Sequence, residues 1–318
     1  SPRGRVGVLW GRSRSPHSPD RLAARDPSAN TRTMAPVLDA YKDIVGYWGP
    51  VDALHTFCEP KYVTHPKAAE FYNSIGSLIY CVAALAGLRA TSGMVWQVTV
   101  GWWSILVVGI GSTLFHLTMR YHMELLDELP MLLLIACAIL GFHGAHPYAS
   151  TPRRATLFLC ATVGFLGVFT AIYLYTRIFG LFITMFTIEI AAAIGLSVTS
   201  QTKDRTVSWC RNTAIAWIVV ARVFWETEVH ACRLAPWVWP LHNVWHVTSC
   251  IAAYYMLFYM YYYRVERLGL EGAYGARRSF PSLPKPLTFN AAWHRELEER
   301  ALARLAKDLG GAQSGAAK

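Results

Sequence analysis

Three histidines stand in strongly apolar surroundings: His116 near the end of one long apolar stretch, and His242 and His246 four residues apart at the start of another. One helical turn separates the last two, so both imidazoles project from one face. An imidazole in hydrocarbon is costly unless it has a partner. Around His116, the run Gly111-Ser112-Thr113-Leu114-Phe115-His116 and then Leu126-Asp127-Glu128-Leu129-Pro130 add a hydroxyl and two carboxylates. Three neutral imidazoles leave zinc a fourth position for water, whose pKa falls to about 7, and a nearby carboxylate takes or relays its proton. These residue types point to hydrolysis, with zinc held by His116, His242 and His246. A haem between two helical histidines is the rival cofactor, but haem ligands normally come singly from opposing helices and need no adjacent acid.

Ser112 lies four residues before His116 and shares its face. Its hydroxyl either bonds a reacting water or oxyanion, or, within its GxGS run, serves only to let helices pack closely. Of Asp127 and Glu128, one can act as general base while the other caps a helix or faces the interface.

The elements that position these groups follow from hydropathy. Of 318 residues, 53% are hydrophobic and 16% charged, with 12 Trp and 16 Tyr, a balance that soluble domains of this length seldom show. Apolar windows long enough to cross a bilayer recur at approximately 71–89, 96–117, 125–143, 155–176, 178–200, 210–229 and 241–263. The windows at 96–117 and 241–263 are the clearest; the sixth is the least clear, because Arg222, Glu226 and Glu228 fall in it. The expected fold is an all-α, polytopic bundle of seven transmembrane helices. With alternating helix directions, His116, Asp127, His242 and His246 fall in one leaflet. A site among membrane helices calls for a lipid substrate whose amide or ester carbonyl is attacked.

The formal net charge of +10 could suggest nucleic acid, but the surplus sits in tails and loops, and no nucleic-acid role is expected. Arg89, Arg153, Arg154, Lys203, Arg205, Arg211, Arg264 and Arg267 lie on the C-terminal side, against Arg120, Arg177 and Arg233 opposite. That bias puts the C-terminus in the cytosol and the N-terminus in the lumen or outside the cell. The seven Arg and two Asp of residues 1–33 argue the other way. The organisation read from the sequence is a disordered basic tail at 1–40, a seven-span domain at 41–263, and a cytosolic tail at 264–318 with an amphipathic helix near 288–309. The first segment lacks the apolar region of a secretory signal and reads as an extension upstream of the usual start, with a transit-like peptide as the alternative.

The motifs then resemble the alkaline ceramidases, seven-span enzymes of a superfamily shared with the adiponectin receptors. The likeness runs from Gly46 to about Tyr263, through Gly46-Tyr47-Trp48-Gly49-Pro50, Cys58-Glu59, Ala69-Glu70-Phe71-Tyr72-Asn73, Gly109-Ile110-Gly111-Ser112, Leu125-Leu126-Asp127-Glu128-Leu129-Pro130-Met131, Phe224-Trp225 with Cys232, and His242 with Trp245-His246. The resemblance implies zinc on the three histidines, Asp127 as the acid/base residue, and Ser112 activating water or stabilising the oxyanion. It also implies cleavage of the ceramide amide to a sphingoid base and a fatty acid, in the endoplasmic reticulum or Golgi. Which ceramide is cleaved stays open between ceramide, dihydroceramide and phytoceramide.

The same resemblance implies calcium bound by the N-terminal segment, and here the chain departs from the pattern. Glu59 and Glu70 remain as ligands, but Thr56 replaces an aspartate and Lys61 an asparagine. Lys61 is expected between Glu59 and Glu70 as an internal counter-ion, so that calcium is not required. A Cys58–Cys232 disulfide is also implied, with Cys81, Cys137, Cys160, Cys210 and Cys250 as buried thiols in or beside spans. Glu228 is expected to serve as a supporting carboxylate, and His122, His143, His146 and His230 to stay outside the site. Two other readings are a lipid-responsive receptor of the same superfamily and a transporter using Arg222, Glu189 and Glu226, which lacks the repeated halves often seen in transporters.

Overall fold

The computed structural model describes residues 44–91, 95–145 and 152–267, together with the pairs 278–279 and 283–284. The basic tail, the helix expected near 288–309 and His146 therefore lie outside the described residues, as does the side chain of His143. The first element is a two-residue antiparallel pair, β1 (Val45–Gly46) and β2 (Gly49–Pro50), turned through Gly49 at a positive φ of 100°. A non-helical segment, 51–70, extended but for turns at 61–62 and 66–67, leads to the helices. These are α1 (Phe71–Gly76), α2 (Leu78–Ala90), α3 (Trp96–Thr118), α4 (Tyr121–Ala145), α5 (Pro152–Thr176), α6 (Phe179–Thr199), α7 (Arg205–Ala231) and α8 (Pro240–Arg267). A 3-10 turn, Pro236–Val238, joins the last two, and β3 (Arg278–Ser279) pairs with β4 (Leu283–Pro284) beyond them.

Five segments, Phe71–Ala90, Trp96–Thr118, Tyr121–Phe142, Arg153–Thr176 and Phe179–Thr199, are long and apolar enough to cross a membrane. The chain is an all-α polytopic membrane protein. α7 and α8 are longer, at 27 and 28 residues, yet fall outside that apolar set. For α8 this corrects the expectation of one of the clearest windows. His242, Asn243, His246, Thr248 and Ser249 and a run of tyrosines dilute its hydropathy, while most of those side chains turn inward. α5 is the opposite case: Val163, Phe165 and Val168 are each exposed by more than half, a surface suited to acyl chains. Cys160, expected as a buried thiol, is exposed on the same helix.

Local chemistry sets the element ends. α4 begins at Tyr121, four residues before the apolar window, because Asp52 Oδ1 accepts the Tyr121 N–H at 2.8 Å. α7 begins after Asp204, whose carboxylate accepts the Thr206 N–H at 2.6 Å. α3 ends at Met119 in the left-handed region, with φ of 51°. There its carbonyl accepts the N–H groups of Asp52 and Ala53, fixing the extended segment against the bundle end. The core is rich in aromatic residues, with Trp102, Tyr173, Phe258, Tyr259 and Tyr261 wholly buried.

Two glycines of α3 explain how tightly its neighbours pack. A Cβ at Gly109 would lie 2.6 Å from Cys81 Sγ and 2.8 Å from its backbone N on α2. At Gly111 it would lie 2.3 Å from the Leu126 carbonyl oxygen and 2.9 Å from Asp127 N on α4. The glycines thus supply the close packing of the GxGS run, and Ser112 has contacts of its own.

Candidate metal centre and active site

The extended segment 51–70 crosses the end of the bundle where α3 ends and α8 begins, and its backbone needs hydrogen-bond partners there. Buried carboxylates supply them. Glu124 on α4 accepts the N–H groups of Leu54 at 2.6 Å and His55 at 2.9 Å. Glu228 on α7 accepts that of Cys58, and Glu70 that of Phe57 at 3.3 Å. A disulfide joins Cys58 to Cys232, tying the segment to the end of α7.

Beneath this segment, His116, His242 and His246 converge, all buried, with one potential ligand nitrogen from each within 4.8 Å of the others. The His116 ring centroid lies 5.1 Å from each of the other two, which are 4.6 Å apart. Nε2 of His116, Nδ1 of His242 and Nδ1 of His246 are buried without a hydrogen-bond partner among the described residues. The orphaned Nε2 of His116, on the side of the ring away from Glu70, carries a desolvation cost at this depth that a cation shared with the other two rings would remove. The residues therefore fit a metal ion.

His116 is oriented from behind. Its Nδ1 lies 2.6 Å from Glu70 Oε2, and its carbonyl accepts the Glu70 N–H at 2.9 Å. Facing a carboxylate, Nδ1 carries the proton, which leaves the Nε2 lone pair for a cation. Burial alone would raise the Glu70 carboxyl; the Lys61 ammonium and the His116 bond outweigh it and hold the group well below the usual carboxylate range. Glu228 Oε2 stands 4.0 Å from His242 Nδ1.

Asp127 and Ser112 sit beside the three histidines. The Ser112 hydroxyl accepts a hydrogen bond from Ser77 at 3.0 Å and lies against the Asp127 carboxylate. Ser77 is also 3.5 Å from His246 Nε2. Glu128 neither caps a helix nor faces an interface: it is buried and accepts a hydrogen bond from the Tyr173 hydroxyl. His122 is exposed, and His230 pairs with Glu226 at 3.0 Å on an exposed face. Glu59 caps α1, accepting the Tyr72 and Asn73 N–H groups at 2.8 and 2.9 Å. The Lys61 ammonium meets the Glu70 carboxylate and the backbone carbonyls of Phe57 and Glu59.

A cavity of about 40 Å³ opens at the centre, lined by Asp127, His242, His246, His55, Phe57 and Arg222 among others. Tyr80, Met131, Phe186 and Trp245 line both this space and an apolar cavity of about 100 Å³ that reaches Ser197 and Arg211 at the far ends of α6 and α7. A third cavity, of about 400 Å³, lies between α6 and α7 and shares Phe186, Arg222 and Trp245 with the first.

A family model described as Ceramidase matches residues 49–285. The chain belongs to the ceramidase family. The chain is 38% identical to alkaline ceramidase 3 of Mus musculus over 103 residues, 31% of its own length and 36% of the mouse protein, so it spans about a third of that relative. Broader matches are an alkaline ceramidase of Saccharomyces cerevisiae, 24% identical over 73% of this chain and 83% of the yeast protein, and an alkaline ceramidase of Arabidopsis thaliana, 25% identical over 71% and 89%.

Sequence reasoning passed over three groups that touch or frame the centre. Ser77 had a signal, since Asn73 and Ser77 are polar at helical spacing where a span begins. Glu124 and His55 had none, because their contacts join segments about 70 residues apart.

Proposed function

We propose that this chain is a zinc-dependent amidase that cleaves ceramide to a sphingoid base and a fatty acid. The observation that carries the proposal is the buried triangle of His116, His242 and His246 with Asp127 and Ser112 beside it, in a member of the ceramidase family. The relatives named above as alkaline ceramidases supply the substrate class. Bound at the three histidines, zinc would polarise an amide carbonyl and acidify water. Asp127 takes the proton of the attacking water and returns it to the departing amine, which must be neutral or cationic to leave. Ser112, fed by the Ser77 hydroxyl, steadies Asp127 or donates to the developing oxyanion, an interaction worth about 3 kcal/mol in comparable sites. Glu70 holds the imidazole of His116 in the tautomer the reading requires.

The lipid reaches this end through the space between α6 and α7 and lays a chain in the apolar cavity beyond Trp245. In this reading all seven helical segments cross the bilayer, since 27 and 28 residues span about 40 Å at 1.5 Å per residue. The metal end then faces the lumen of the endoplasmic reticulum or Golgi, supported by the disulfide at that end and by the excess of arginine at the other.

The test is purified full-length protein in nanodiscs, incubated with ceramide, dihydroceramide and phytoceramide. Fatty acid release that needs zinc and disappears in His242→Ala and Asp127→Ala is the expected result. A folded, zinc-loaded preparation that releases none overturns the enzyme reading and favours a lipid-responsive receptor.

A further inference from the structure

Lys61 places a primary ammonium where the side chain is wholly enclosed, with no exposed area on either Lys61 or its partner Glu70. A buried ammonium persists only if its donors are satisfied and its charge is met. Both conditions hold. Nζ donates to the Phe57 carbonyl at 2.6 Å, to the Glu59 carbonyl at 2.9 Å and to Glu70 Oε1. The other Glu70 oxygen accepts from Asn73 Nδ2 at 3.1 Å and meets His116 Nδ1 at 2.6 Å. One carboxylate thus stands between a fixed cation of the chain and a histidine of the metal centre.

A calcium ion does not fit here. It asks for six to eight oxygens and several carboxylates. The carbonyls of Phe57 and Glu59 and one Glu70 oxygen already converge on the ammonium. The Glu59 carboxylate is committed to the first N–H groups of α1, and Thr56 contributes only a hydroxyl. From this geometry we infer that Lys61 is a built-in cation that does the work of a divalent ion, making the fold and the zinc centre independent of calcium. Lys61 is a positioning residue: it acts through Glu70 on His116 and touches neither substrate nor zinc. The inference rests on the reading of the three histidines as a zinc site only for its second arm below.

The first arm measures thermal unfolding of the full-length protein in calcium and in a calcium-selective chelator. The wild-type midpoint is expected to be the same in both, and a rise with calcium overturns the inference. A Thr56→Asp/Lys61→Asn variant trades the ammonium for oxygen donors. It is expected to gain a calcium-dependent midpoint, and a midpoint indifferent to calcium overturns the inference. The second arm measures zinc affinity by competition with a chromophoric chelator. Lys61→Met should weaken zinc about 10- to 100-fold, the usual effect of losing support behind a ligand. Wild-type affinity in folded Lys61→Met overturns the positioning role; if that variant does not fold, the double variant with and without calcium replaces it, and equal affinities count against the role. Wild-type protein that binds no zinc overturns the zinc reading and leaves the calcium arm to decide Lys61.

Discussion

Gly111 offers the sharpest test of how the fold positions the acid. Replacing it by alanine places a Cβ 2.3 Å from the Leu126 carbonyl oxygen, 2.5 Å from its carbon and 2.9 Å from Asp127 N, where ordinary contact begins at 3.4 Å. All three atoms are backbone, so no rotamer relieves the clash and α4 must retreat by about 1 Å. Overpacking of this kind costs about 1–3 kcal/mol, offset by about 1 kcal/mol that alanine gains over glycine inside a helix. Stability therefore falls only slightly. Activity should fall much further, because Asp127 travels with α4 while Ser112 and His116 stay on α3, and a 1 Å misplacement can cost about 100-fold. The assay is kcat/KM for fatty acid release in nanodiscs, with zinc content and unfolding midpoint measured on the same preparation. We expect full zinc loading, since the three histidines lie on α3 and α8, and about a 100-fold loss in kcat/KM. Gly164→Ala on α5, with no atom within 4 Å of the added Cβ, is the control and should leave activity untouched. A folded Gly111→Ala protein with wild-type kcat/KM would refute the claim that this close approach positions the acid.

Two further outcomes can be checked by unfolding. Cys58→Ser, Cys232→Ser and the double variant should each lose about 2–5 kcal/mol, and the double should lose no more than either single, because one bond is removed in all three; a double variant showing the sum would contradict the pairing. Burial lowers the His55 pKa from 6.5 to about 4. Between those values the unfolded chain binds a proton that the folded chain does not, so stability is full above pH 6.5 and declines as pH falls toward 4. His55→Phe should flatten that acid limb of the midpoint against pH, and an unchanged limb would assign it to other groups.

The centre was legible in the sequence to the extent that it obeys helical spacing. His242 and His246 lie one turn apart, Ser112 and His116 likewise, and alternating helix directions bring those pairs and Asp127 to one end of the bundle. The support behind the centre follows no period. Glu70 reaches His116 across 46 positions, Glu124 reaches Leu54 across 70, and Glu228 reaches Cys58 across 170. The segment receiving those bonds is extended and has no hydrophobic repeat, so its path depends on partners that arrive from three separate helices. The boundaries missed at Tyr121 and Arg205 have the same origin, since hydropathy marks where a helix is apolar and Asp52 and Asp204 mark where it starts.

Those long-range bonds also explain why so many carboxylates are buried at one end of a membrane protein. An extended backbone laid over helix ends brings unpaired N–H groups into a space with little water, and each would cost free energy if left unmet. A carboxylate accepts two N–H groups at once, as Glu124 does from Leu54 and His55 of the segment and Glu59 from Tyr72 and Asn73 at the start of α1. Every carboxylate so used needs either compensating charge or enough donors, and Glu70 has both in Lys61, Phe57 and Asn73. Its remaining capacity is directed at His116, so the bonds that fasten the segment to the bundle also orient one of the three converging histidines.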